Sequence, residues 1–105
     1  MIINRRILKA ALERWGIHMQ MDILIEEMSE LTKALIKSRR KNIRYANADV
    51  LEELADVYLC AQQLLIVCED AGLDIQPYIN KKTERLQTRL YRHLPLIRDS
   101  NEGPY

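Results

Sequence analysis

Glu26-Glu27-Met28-Ser29-Glu30 and, after a gap of 22 residues, Glu53-Leu54-Ala55-Asp56 are the segments on which the reading of this chain turns. Both lie in helical patterns. Leu24, Met28, Leu31 and Leu35 recur at the i, i+4, i+7, i+11 spacing of one helical face, which predicts an amphipathic helix with these residues inward. Glu27 and Glu30 stand one turn apart on a neighbouring stripe, and Glu53 and Asp56 repeat that spacing. A solvated helix usually sets a Lys or Arg four residues from a Glu; here Glu26 meets Glu30, and Glu53 meets Val57. Crowded carboxylates repel and raise one another's pKa unless a cation neutralises them. Two such pairs on facing helices would converge four carboxylates, a hard oxygen set that suits Mg2+ or Mn2+.

Working outward, the composition is that of a helical protein. Gly and Pro number three each, and Leu, Ile, Ala, Glu, Lys and Arg dominate. The 105 residues suffice for one domain, expected over residues 1–94, with a flexible tail at 95–105. The 48% apolar content builds a core, yet a domain this small leaves much apolar surface uncovered. The net charge of +1 gives no whole-chain argument for nucleic acid or a membrane as partner. The N-terminal residues lead straight into an amphipathic pattern with no visible signal peptide, and no apolar run approaches the roughly 20 residues a membrane span needs. Cys60 and Cys68 are eight apart on one predicted helix. That places their Cα atoms about 12 Å apart, too far for a disulfide, and fits a reducing, cytoplasmic setting.

Four helices are predicted. The first runs from Asn4, a cap, to Trp15, with Ile7, Leu8, Ala11, Leu12 and Trp15 on its apolar face and Gly16 closing it. Trp15 reads as packing or as a wall for a stacked base. The second starts near Ile17 or His18 and extends to about Ser38; His18 reads as structural or solvated, and Gln20 stands two turns before Glu27 on nearly its stripe, placed for a ligand edge. The basic run Lys37, Arg39, Arg40, Lys41, Arg44 follows, read as complementing the helix dipole or as reaching a phosphate. The third helix, capped by Asn47 or Asp49, runs to Ala71 and is so apolar around its circumference that it is expected to be buried on several sides, which argues for an oligomer. Acids beside such a surface are costly unless paired or metal-bound. The fourth, capped by Asp74 with Pro77 in its first turn, carries Ile79, Leu86, Leu90 and Leu94 on one face beside Lys81, Lys82, Arg85 and Arg89, and Pro95 ends it.

The acid pattern Glu26-Glu27-x-x-Glu30 followed by Glu53-x-x-Asp56 resembles the signature of the MazG-like, all-α nucleoside triphosphate pyrophosphohydrolases. Trp15-Gly16, Gln20 and Glu30-Leu31 resemble small stand-alone members, over roughly residues 15 to 90. The resemblance implies an all-α protomer, four-helix-bundle-like, assembling as a homodimer or homotetramer. It implies Mg2+ (Mn2+ as substitute) on Glu27, Glu30, Glu53 and Asp56, with Glu26 orienting or deprotonating the attacking water or binding a further metal. It also implies Asn80, Lys81, Lys82 and Arg85 on the phosphates or sugar of a nucleoside triphosphate, split to monophosphate and pyrophosphate. The rival expectations are a non-catalytic metal- or nucleotide-binding helical module acting as sensor or partner, and a bundle whose acids are merely solvated.

Overall fold

The computed structural model describes residues 1–41 and 47–92. Four helices account for nearly all of them: α1 (Arg5–Trp15), α2 (Ile17–Arg40), α3 (Ala48–Asp70) and α4 (Gln76–Arg92), with no strand among the described residues. The chain divides into two units, Met1–Leu73 and the residues from Asp74 onward. Arg44 of the basic run, Leu94 and Pro95 of the expected fourth helix, and the tail lie outside the described residues.

The helix ends follow from local chemistry. Asn4 Oδ1 accepts the Ile7 amide at 3.2 Å and Asn47 Oδ1 the Val50 amide at 3.1 Å, each satisfying an orphan donor of the first turn. Gly16, at φ 85°, both ends α1 and opens α2; a side chain there would be strained. Gly72 ends α3 at φ 76°, where the Leu73 amide donates to the Cys68 carbonyl at 2.9 Å and the Gly72 amide to Glu69 at 3.0 Å, a Schellman closure. The Asp74 carboxylate accepts the Gln76 amide at 2.9 Å and sets the entry to α4.

In the first unit, α2 and α3 form an antiparallel pair. Asn47 donates to Ser38 Oγ at 3.0 Å at the connection, and Glu27 meets Asp56 near mid-pair. The shielded stripe of α2 runs through Gln20, Leu24, Glu27, Leu31, Ala34 and Ser38, a 4-3-4-3-4 spacing. This corrects the sequence expectation: Met28 and Leu35 are exposed and Glu27 takes the inward position. The inward stripe is mixed and the outward one apolar, so counting apolar residues selects the wrong side. The α1 helix packs against the pair through Leu8, whose carbonyl accepts Gln63 Nε2 at 3.4 Å, and through an exposed Arg5–Glu69 ion pair at 3.0 Å. A pair so exposed contributes at most about 1 kcal/mol.

A second outcome concerns burial. Among the described residues the buried apolar side chains are Leu8, Val50 and Ile66. The expectation that α3 is covered on several sides is not met within one chain, where Leu51, Leu54 and Leu59 are exposed. On α2, Met21, Ile25, Met28 and Leu35 form an outward stripe about 100° around from the inward one. Thr32 interrupts it in sequence only, because its hydroxyl donates to the Met28 carbonyl at 2.9 Å. The helices are antiparallel, so the one-residue step from inward to outward stripe turns both helices toward the same side. Met21, Ile25, Met28 and Leu35 therefore lie on the same side of the pair as Leu51, Leu54 and Tyr58, where Met1, Ile2 and Ile3 share a hollow with the α3 residues.

Ile66, 1% exposed, is the most completely enclosed side chain described. Ile66→Ala leaves a cavity between α1 and α3 and is expected to cost about 2–5 kcal/mol in urea unfolding at fixed protein concentration. A loss below about 1 kcal/mol would show that this packing is not what holds α1.

The α4 helix has no buried residue. Ile79 and Leu86, expected to pack, are exposed.

Candidate metal centre

Glu27 projects from the third turn of α2 and Glu53 and Asp56 from the first turns of α3. Each offers one carboxylate oxygen, and these oxygens lie within 4.8 Å of one another. The i,i+3 spacing puts Glu53 and Asp56 on one side of α3, and the antiparallel register brings Glu27 against them. Glu27 and Glu53 are half-shielded by the seam and Asp56 is exposed.

The acid density shows in the proton affinities. Glu27 is raised above its ordinary 4.5, first by desolvation in the seam, then by the charge of Asp56 and a hydrogen bond shared with it, then by Glu53 and Glu26. Glu53 is raised by desolvation and then by Asp56, Glu30, Glu52 and Asp49. Cys60, one turn beyond Asp56, is pushed up by burial and by the charges of Glu27 and Asp56, so it borders the cluster as a neutral thiol. Among the described residues, every coulombic neighbour acting on Glu27 and Glu53 is an acid. The donor set fits a hard divalent cation: carboxylate oxygens that repel one another, reachable from solvent through Asp56.

Other expected site residues stand differently. Glu30 acts on Glu53 through its charge and accepts a bond from Lys33 Nζ at 3.4 Å, so one of its oxygens is directed along α2. Glu26 is exposed and acts on Glu27 by charge alone. Gln20 is buried in the α2–α3 seam at 7% exposure, two turns from Glu27. Asn80, Lys81, Lys82 and Arg85 are all on α4, in the second unit, where Asn80 accepts a bond from Gln76 at 2.9 Å. Cys60 is the neighbour that sequence reasoning passed over; its position four residues after Asp56 was the available signal.

Glu27→Gln tests the repulsion without any ligand. A carboxyl whose folded pKa is raised contributes stability below its unfolded value, and that contribution is lost as pH rises through the folded value. In metal-free buffer the variant is therefore expected to melt above the wild type at pH 7.5, with the difference closing as pH falls toward about 4.5. Equal melting temperatures across that range would show that the carboxylates do not repel in solution.

Compared with family models, curated proteins and solved structures, the sequence finds no match.

Proposed function

We propose that this chain is a Mg2+-dependent nucleoside triphosphate pyrophosphohydrolase of the MazG-like, all-α kind, hydrolysing a nucleoside or deoxynucleoside triphosphate to its monophosphate and pyrophosphate. The observation that carries the reading is the convergence of Glu27, Glu53 and Asp56, contributed by both halves of the acid motif across two antiparallel helices. In this reading Glu27, Glu53 and Asp56 hold the cation, with Glu30 completing the set on release from Lys33. A divalent ion held there supplies charge neutralisation for the phosphates and acidifies the attacking water.

The chain's own residues do the remainder. Glu26, exposed beside the cluster, accepts the proton of water as its oxygen adds to the α-phosphorus. The bond from that phosphorus to the α,β-bridging oxygen breaks, and pyrophosphate leaves with the bond's electron pair. Such a reaction asks chiefly for positioning and charge stabilisation, which carboxylates holding a cation and basic side chains on the phosphates supply. Lys81, Lys82 and Arg85 are the cations assigned to the phosphates, with Asn80 on the sugar or phosphate and Gln20 setting the wall of the seam.

Assembly belongs to the same reading. The outward side of α2 and α3 exposes Met21, Ile25, Met28, Leu35, Leu51 and Leu54, as expected of a surface that a second copy covers. A homodimer or a homotetramer satisfies it.

The test is pyrophosphate release, with and without Mg2+, across common and damaged nucleoside triphosphates, with the nucleotide product identified. Monophosphate plus pyrophosphate from one or a few substrates is the expected result. No release from any, with Mg2+ still raising the melting temperature, would replace the enzyme by a metal- or nucleotide-binding module.

A further inference from the structure

The near-neutral net charge of the chain conceals a segregated one. The α4 helix carries Lys81, Lys82, Arg85, Arg89 and Arg92 against one acid, Glu84. At 100° per residue the five cations fall within a sector of about 100°, and Glu84 lies roughly 60° outside it. All five are exposed. The ion pairs recorded among the described residues, Arg5–Glu69 and Lys33–Glu30, include none of them. Lys81, Arg85, Arg89 and Arg92, with Thr88 and Glu84, line one open groove.

Two features narrow the partner. First, the cations form a line. Successive steps from Lys81 through Arg85 and Arg89 to Arg92 rise about 6, 6 and 4.5 Å along the axis, a row of roughly 16 Å. A compact triphosphate engages part of such a row; a chain of phosphodiesters follows it from end to end. Second, Tyr78 stands in the middle of the cationic sector at the N-terminal end of the row, 68% exposed. An exposed aromatic ring beside a line of cations is the pairing by which single strands are held, bases stacking while phosphates are neutralised. A bilayer surface fits less well: an interfacial helix buries a broad face rich in Trp, Phe or Leu, whereas Ile79, Leu86 and Leu90 cover a sector of only about 40°.

We infer that the cationic face of α4 is a docking row for single-stranded nucleic acid, with Lys81, Lys82, Arg85, Arg89 and Arg92 on the phosphodiester backbone and Tyr78 stacking on a base. The inference goes beyond the hydrolase reading and does not need the acid cluster. It gives Lys81, Lys82 and Arg85 a polymeric partner in place of, or besides, a nucleotide, and it departs from the expectation of no nucleic-acid partner, where net charge gave no argument for one.

The experiment is fluorescence anisotropy of the full chain with oligothymidylate and oligouridylate of about 20 nucleotides, unphosphorylated at the 5′ end, between about 50 and 200 mM KCl. Each backbone contact contributes about 0.7 to the logarithmic salt slope, so the slope is expected to be about −3.5 with all five cations engaged. Arg85→Gln with Arg89→Gln, which preserves helix propensity, is expected to reduce the slope by about 1.4. Tyr78→Ala is expected to weaken binding roughly 5- to 150-fold with the slope unchanged, the worth of one stacked base. Glu53→Gln should bind the strands as the wild type does. Circular dichroism of each variant separates lost contacts from a lost helix. The inference is overturned by no binding at the lowest salt, by an Arg85/Arg89 variant that binds as well as the wild type while folded, by equal loss in Glu53→Gln, or by binding to phosphatidylserine vesicles alone. Pyrophosphate release, measured in parallel, reports on the hydrolase reading separately.

Discussion

Glu53→Gln is expected to lower Mg2+-dependent pyrophosphate release by about a thousandfold or more and to abolish the stabilisation by Mg2+, while raising the melting temperature of the metal-free protein at pH 7.5. The three effects share one cause. Glu53 is crowded by Asp56, Glu30, Glu52 and Asp49, so its charge is unfavourable until a cation is present. The amide keeps the shape and removes the charge. Ligand-derived stabilisation follows RT ln(1 + [L]/Kd): at 100 times Kd it is about 2.7 kcal/mol, and a hundredfold loss of affinity at that concentration leaves about 0.4 kcal/mol. A metal's charge stabilisation of a transition state is worth several kcal/mol, and about 4 kcal/mol is close to a thousandfold in rate. Turnover within tenfold of the wild type would remove Glu53 from the site. Lost turnover with an undiminished Mg2+ shift in melting would move the cation to other ligands and leave Glu53 a role in the chemistry alone.

The acid convergence was legible because it depends on two periodicities and a short connection. The i,i+3 spacing puts Glu53 and Asp56 on one side of α3, and an antiparallel return across a brief link brings Glu27 level with them. Helix ends were legible for a similar reason: Asn4, Asn47 and Gly72 act within a few residues of themselves. What could not be read was which side of α2 faces inward. Leu24 and Leu31 lie on the inward stripe with Gln20, Glu27 and Ser38, while Met28 and Leu35 lie on the outward stripe with Met21 and Ile25. Apolarity favours the outward stripe, and the inward one shows only in pairings between the two helices, Ser38 with Asn47 and Glu27 with Asp56. The fate of Glu30 was hidden by a competition between neighbours, since Lys33 on its own helix binds it while the metal reading assigns it to the cluster.

The misread stripe leads to the second large effect. Ile25, 66% exposed, stands near the middle of the outward row on α2. In an isolated protomer Ile25→Asp replaces one solvated side chain by another and changes stability by less than about 0.5 kcal/mol. If a second copy covers the face, a two-fold axis places the substitution at the contact twice, and each carboxylate is stripped of water against Met and Leu. Several kcal/mol are then lost from association, at least a thousandfold in Kd. Sedimentation of the wild type is expected to give twice 12.4 kDa, about 25 kDa, or a higher multiple, and of Ile25→Asp about 12 kDa, with a lower melting temperature that no longer depends on protein concentration. Thr32→Asp, on the same row, should act likewise, whereas Asp22→Asn, beside the row, should leave the assembly intact. A wild type that sediments at 12.4 kDa at micromolar concentration would separate the acid cluster from any shared interface, and catalysis would then have to be complete within one chain.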